Sequence, residues 1–258
     1  MLNWTISKNQ NISCLLEINR NKGIGFLKRK NIKYFVKFYI NNEEIEIVKN
    51  YKYLGVIFAR SGSFLATRKY LQEQAIKAMY SIIKKCRFNN LSIECQLDMF
   101  NKAVVLILLY GSEVWGFENV DILEKLHLRF SKHLLRLKHS TPNFMVYGEL
   151  GRYPISIKVK LRMIRFWCSL LDGNGQKISS LLYKCLYINY VNYGFELKWL
   201  SFIKSIIDDC GMSNIWYSQS VYPKERILLS VEQRLKDQFK QKWGTEINMS
   251  SKYKICKN

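Results

Sequence analysis

Proline is scarce in this chain, at 3 of 258 residues. Together with 14% aromatic residues, that excludes a disordered or proline-rich low-complexity protein. Acidic residues are scarce too: 20 Asp and Glu face 41 Lys and Arg, a formal net charge of +21. A surplus of that size points to a polyanionic partner, either nucleic acid or an anionic membrane surface. AT-rich coding accounts for some of the lysine, since Asn, Ile and Tyr are abundant as well, but it does not account for the arginines. Long apolar runs are missing: Ala103–Tyr110 is unbroken but falls far short of the ~20 residues of a membrane-spanning helix, so no span is expected. The opening MLNWTISKNQ has no apolar core, so no signal peptide is expected and the chain is placed in the nucleus or cytoplasm, not among secreted proteins. Its seven cysteines are scattered singly, with no CxxC and no Cys/His cluster at zinc spacing, which suits reduced thiols.

Catalytic signatures are also missing. There is no GxSxG and no P-loop, and Gly23-Ile24-Gly25 lacks the third glycine of a dinucleotide-binding turn. His127, His133 and His139 are spaced by six, not by the three or four that puts ligands on one helical face. His127 falls on an apolar side and reads as a core histidine. Asp208-Asp209 falls in the last turn of an expected helix before Gly211. That end of a helix is already negative, so the pair reads as structural and not as a metal site. Glu113 and Glu149 follow small residues in tight turns and read as caps or as partners of a nearby arginine.

What is present is periodicity, and it gives an α+β fold, mostly α. A small N-terminal antiparallel sheet is expected first. Tyr34–Ile40 alternates, Asn41-Asn42 turns, Glu43–Val48 returns, and Tyr51–Phe58 forms a third strand in which Gly55 marks a bulge or a close backbone approach. Helices follow. Phe64–Cys86 places Phe64, Leu71, Ala75, Ala78, Ile82 and Cys86 on one face and Lys69, Lys77, Tyr80 and Lys84 on the other. A helix capped by Ser92 runs through Ala103–Tyr110, buried on most sides, and stops at Gly111. Glu118–Lys138 carries Leu123, Leu126, Phe130, Leu134 and Leu137, opposite a basic stripe of Lys125, Arg129, Lys132 and Arg136. Thr141 and Pro142 read as N-cap and first residue of a short helix that Gly148 and Gly151 close. Pro154–Leu171 stacks Lys158, Arg162 and Arg165 on one side, and Gly173-Asn174-Gly175 breaks it. Amphipathic helices at 178–190 and 197–210, the second stopped by Gly211, and a last helix at 223–243 complete the chain. The expected divisions are 1–60, 61–140 and 141–258.

Several phrases carry a family resemblance. Leu108–Gly116 (LLYGSEVWG) resembles a phrase downstream of the polymerase palm in reverse transcriptases of non-LTR (LINE-type) retrotransposons. Asn50–Phe58 (NYKYLGVIF) looks like that family's primer-grip hairpin, and Thr141–Pro154 (TPNFMVYGELGRYP) like the turn beyond its thumb. Trp199–Trp216 and Asp237–Trp243 are similar to its tail. The likeness runs from about Phe35 to the end, with the phrases in family order. One departure is Leu106, where the family usually carries proline, so a straighter helix is expected here.

The resemblance implies the C-terminal portion of such an enzyme: a palm remnant with primer-grip strands, a helical thumb bundle and a second helical region. In the family, an aspartate pair between two strands and one earlier aspartate hold two Mg²⁺ over the primer end. This chain has no such pair in a strand. The resemblance therefore implies no cofactor here, Mg²⁺ belonging to the palm, and no polymerase activity of the chain on its own. It also implies that Tyr53, Leu54 and Gly55 form the primer grip and that helix 64–86 follows the minor groove of a template–primer duplex. Tyr51, Tyr53 and Tyr80 add stacking or sugar contacts. The implied partner is an RNA or RNA–DNA duplex bound without sequence specificity, with no small-molecule substrate. The basic stripes point to a nucleic-acid partner by their charge as well, and with the primer-grip residues the candidate contacts are Tyr51, Tyr53, Leu54, Gly55, Lys69, Lys77, Lys84, Lys125, Arg129, Lys132, Arg136, Lys158, Arg162 and Arg165. Two other readings stay open: a stand-alone basic helical module for a protein or membrane partner, and a decayed reading frame. The sequence sets no oligomeric state.

Overall fold

A computed structural model describes residues 3–5, 12–19, 22–27, 38–40, 43–172 and 177–249. The fold is α+β and mostly α, as the periodicity predicts. The chain divides into two compact units, Met1–Lys77 and Ala78–Asn258.

The first unit holds more sheet than expected. Strands β1 (Asn3–Thr5), β2 (Ile12–Asn19), β3 (Lys22–Leu27), β4 (Phe38–Ile40) and β5 (Glu43–Ile47) form a sheet in the order β1-β2-β3-β5-β4. β4 and β5 pair antiparallel, Ile40 opposite Glu43, as expected. Tyr34–Lys37 and Asn41-Asn42 lie outside the described residues. β2 escaped the periodicity because Leu15 and Leu16 are adjacent in it, which breaks a period of two, and β1 is too short to show one. β3 pairs antiparallel with β2 and parallel with β5. Gly23-Ile24-Gly25 is inside β3, opposite Glu17, Leu16 and Leu15, so it is strand and not a phosphate-binding turn.

The expected single strand Tyr51–Phe58 is instead a hairpin of β6 (Asn50–Tyr53) and β7 (Val56–Ala59), with Tyr53 opposite Val56. Leu54 and Gly55 form the turn, at φ 45 and 83. Two positive φ values are the mark of the type I′ turn, whose twist matches that of the flanking strands. Gly55 therefore serves the turn, not a bulge. The hairpin is tied to the helix after it by Thr67 Oγ1, which accepts from the Ile57 amide at 2.9 Å and donates to the Ile57 carbonyl at 2.8 Å. Gly55→Val is expected to lower stability by about 1–2 kcal/mol, the cost of a side chain in left-handed backbone. Gly55→Asn, which tolerates that geometry, should lose less. Thermal unfolding measures both, and an unchanged melting temperature for the valine variant would contradict the turn.

Helix α1 (Leu65–Asn89) crosses the division between the units. It buries Leu71, Ala75, Met79, Ile82 and Cys86, a stripe at spacings of three and four. The next helical run is α2 (Ile93–Met99), a π-helical segment Phe100–Val105, and α3 (Leu106–Leu108). Ser92 caps it, accepting from the Cys95 amide. Gly111 ends it at φ 67, as expected. Two expectations fail here. The run is not buried on most sides: Val104, Val105, Leu108 and Leu109 are buried, but Leu106 is 57% and Tyr110 47% exposed. It is not regular α-helix either, since Phe100–Val105 is π-helical although Leu106 replaces the proline.

Then come α4 (Ser112–Trp115), α5 (Asp121–Leu134), α6 (Asn143–Leu150), α7 (Ile155–Asp172), α8 (Ile178–Tyr193), α9 (Lys198–Asp209), α10 (Ser213–Ser218) and α11 (Lys224–Met249). α5 is shorter than expected, so Leu137 leaves its apolar stripe and is 39% exposed. Pro142, not Thr141, is the N-cap of α6, and Gly151 closes that helix at φ 59. Gly173-Asn174-Gly175 lies outside the described residues. The core of this unit is aromatic: Trp115, Trp167, Trp216, Phe100 and Phe130 are fully buried. The polar end of Trp167 is paired, as burial demands. The Trp167 indole donates to the Tyr183 hydroxyl at 2.8 Å, and that hydroxyl donates to Gln219 Oε1 at 2.6 Å.

Candidate nucleic-acid interface

Three helices carry the expected basic stripes, and the structure treats each differently. On α1, Lys69, Lys77, Tyr80 and Lys84 are exposed opposite the buried face, as expected. Their helix has no acidic residue after Glu73, so Lys77, Lys84, Lys85 and Arg87 stand without a counter-charge on it.

On α5 the stripe is broken. Lys125 and Arg129 are exposed. Lys132 is only 9% exposed, and its ammonium donates to the His139 carbonyl at 2.9 Å. Arg136 lies beyond the helix end, exposed, at φ 53. The expectation assumed one buried side, but α5 is covered on two. Phe130 stacks on Phe100 with ring centres 4.1 Å apart, while Leu128 packs with Val146 and Tyr147 of α6. Lys132 sits one turn past Leu128, on that second covered edge.

On α7, Lys158 and Arg165 are exposed, but Arg162 is not free. Its guanidinium donates to the carbonyl of Leu109 at the end of the preceding helical run, a carbonyl that also accepts from the Ser112 amide at 3.1 Å. Arg162 thus ties α7 to the end of that helical run. Although Lys158 reaches solvent, desolvation, and then the charge of Arg152, holds its ammonium below the usual lysine range. Arg152 donates to Asn101 at 2.6 Å.

In the hairpin, Tyr51 and Tyr53 are half-buried. Leu54 is 71% exposed at the turn beside Gly55. Lys52 went unnoticed in the sequence: its ammonium donates to the Tyr70 hydroxyl at 2.7 Å and lies 3.9 Å from the centre of that ring.

Nothing in the sequence signals the contact that joins two stripes. The Arg129 guanidinium lies over the Tyr80 ring, 5.5 Å from its centre, and donates to the Tyr80 hydroxyl. That contact brings the exposed faces of α1 and α5 together. Lys84, one turn beyond Tyr80, and Lys125, one turn before Arg129, flank it. The result is a surface of cations around an aromatic ring.

Other conspicuous residues have structural duties. Glu124 Oε1 accepts from the Tyr147 hydroxyl at 2.5 Å and lies 3.1 Å from His127 Nδ1. Glu124 Oε2 takes the Ser156 amide at 3.4 Å, so one carboxylate ties α5, α6 and α7. His127 is 3% exposed and stacks on Phe100, a core histidine as expected but not a fully satisfied one, since its buried Nε2 has no hydrogen-bond partner among the described residues. Burial, and then the Glu124 charge, push the Tyr147 phenol far above its ordinary range. Asp208 sits in the last turn of α9 and accepts from Lys204 at 2.7 Å and Ser213 at 2.6 Å. The Lys204 bond, followed by the Ser213 bond, holds its carboxyl below the usual range. Glu113 acts through its backbone, its carbonyl accepting from the Trp199 indole at 2.8 Å.

Among the described residues, no group of three or more His, Cys, Asp or Glu is arranged to hold a metal ion, and no helix is long and apolar enough to cross a membrane. No family model, curated protein or solved structure matches the chain.

Proposed function

We propose that this chain binds an RNA or RNA–DNA duplex without sequence specificity, in the manner of the C-terminal part of a non-LTR retrotransposon reverse transcriptase. The observation that carries the reading is the Arg129–Tyr80 contact, which makes one surface of Lys84, Lys125 and Arg129 from two helices. Cations spaced along a surface neutralise phosphates and release counterions, whatever the base sequence. The net charge of +21 supports the same partner, since so few acids remain to neutralise the cations within the chain. Lys69, Lys77, Lys158, Arg165 and Arg136 are exposed and can neutralise further phosphates, whereas Lys132 and Arg162 are engaged within the fold. The family phrases add an RNA–DNA duplex as the preferred form, and the nucleus or cytoplasm as the place of action. No catalytic step is proposed for the chain.

Fluorescence anisotropy with a labelled RNA–DNA duplex tests this. Binding is expected at low salt, with equal affinity for duplexes of scrambled sequence. Log affinity should fall with log salt by about 0.9 per phosphate neutralised, on a B-form scale. Absence of binding at low salt, or an affinity indifferent to salt, would overturn the reading.

A further inference from the structure

The last turns of α1 present more than charge. Tyr80, Lys84, Arg87 and Phe88 follow one another at helical spacings of four, three and one, so they share a side of the helix. They border an open hollow of about 780 Å³ that Lys85 and Asn89 also line. Phe88 is 90% exposed, a phenyl ring held in water with cations on either side. Tyr80 already has a guanidinium over its ring, whereas Phe88 offers its ring to whatever docks.

We propose that Phe88 is a stacking platform for an unpaired base, and that this end of α1 binds the single-stranded extension beside a duplex. The inference rests on the duplex-binding reading above and goes further, naming a second form of nucleic acid and the residue that takes it. Lys84, Lys85 and Arg87, with no acid on the helix after Glu73, suit a polyanion. The ring selects within that class. Inside a duplex the base faces are covered by their neighbours, so a protruding phenyl reaches one only where bases are unstacked, in a single strand or at a duplex end. Lysine and arginine beside an aromatic ring are the combination by which single strands are held: charge follows the backbone and the ring takes a base of any identity. A role for Arg87 in offsetting the negative end of the helix dipole accounts for one cation. It does not account for an exposed phenyl.

The test compares the full chain on two RNA–DNA duplexes, one blunt and one with a short single-stranded overhang carrying 2-aminopurine. The native chain is expected to bind the overhanging duplex about tenfold tighter, the order of one base stacked on an aromatic ring. The 2-aminopurine fluorescence should be quenched on binding. Phe88→Ala is expected to lose that gain and the quenching, leaving blunt and overhanging duplexes bound alike. Phe88→Leu separates stacking from mere apolar contact and should behave like the alanine variant. Phe88→Trp should retain the preference. Equal affinity of the native chain for both duplexes would overturn the platform while leaving duplex binding intact. An overhang preference unchanged in Phe88→Ala would overturn it as well. If neither duplex is bound, the underlying reading falls, and the platform with it.

Discussion

Gly116→Ala is expected to lower the melting temperature by about 6–12 °C, a loss of about 3 kcal/mol at the upper end of what overpacking a core costs. The backbone there is ordinary, at φ −66, so the loss is not conformational strain. It comes from space. A Cβ on Gly116 would stand 2.4 Å from Val159 Cγ1, 2.5 Å from the Ser112 carbonyl oxygen and 2.9 Å from Met163 Sδ. Two of these are side-chain atoms on α7, but the third is backbone of the same short turn and has little freedom to move. Relief therefore requires α4 to draw away from α7. That would disturb Trp115, which is fully buried, with its indole donating to the Tyr110 carbonyl at 3.0 Å. Gly244→Ala supplies the contrast. Nothing lies within 4 Å of a Cβ at that position, and it is inside α11. There alanine should be neutral or raise stability by about 0.5–1 kcal/mol through helix propensity. Differential scanning calorimetry reads both, and equal melting temperatures for the two variants would mean that α4 and α7 are not packed this closely.

That close approach also explains why LLYGSEVWG stands out in the sequence. Gly111 takes a left-handed φ, Ser112 and Trp115 are buried, and Gly116 makes room for α7. In the Thr141–Pro154 phrase, Tyr147 bonds Glu124 and Gly151 caps α6, while Gly148 lies so near Trp243 that a Cβ would come within 2.8 Å of that ring. The phrases that suggest a family are thus packing devices. They describe how helices meet and are silent about what the surface binds.

Helices were legible wherever one side of the pattern is apolar and a glycine ends it, as at Gly111, Gly151 and Gly211, because periodicity and left-handed caps are local properties. The fates of Lys132 and Arg162 were not legible. Their acceptors are backbone carbonyls, of His139 and of Leu109, and the second lies 53 residues away. A carbonyl has no signature in the sequence, so every basic residue on a polar arc looks alike until the fold decides which cations it uses. Periodicity alone obscured the turn at Leu54-Gly55, in a stretch that only the family likeness reads as a hairpin: leucine is a poor residue for positive φ, and an apolar side chain there reads as a continuing strand. The π turn at Phe100–Val105 has no local signal, because Phe, Asn, Lys, Ala and Val all occur in regular α-helices too.

The second large effect is expected from reversing charge where the fold leaves it free. Lys84→Glu combined with Lys125→Glu should weaken duplex binding about tenfold or more at low salt, because each change removes an attraction to phosphate and adds a repulsion. Both side chains are exposed, Lys84 one turn from Tyr80 on α1 and Lys125 one turn from Arg129 on α5. Exposed substitutions of this kind stay within about 0.5 kcal/mol of the native stability, so the melting temperature should hardly move. The plot of log affinity against log salt should become shallower by about 0.9 for each phosphate that is no longer neutralised, on a B-form scale. Lys132→Glu is the instructive comparison. It would place a carboxylate against the His139 carbonyl that now accepts the ammonium, and should lower the melting temperature while leaving the salt slope of the folded protein unchanged. Charge on the same helix then separates into two kinds by measurement: one kind moves the slope, the other moves the stability. A double Lys84→Glu, Lys125→Glu variant with native affinity and native slope would show that this surface only faces solvent, and the case for a nucleic-acid partner would return to the sequence resemblance alone.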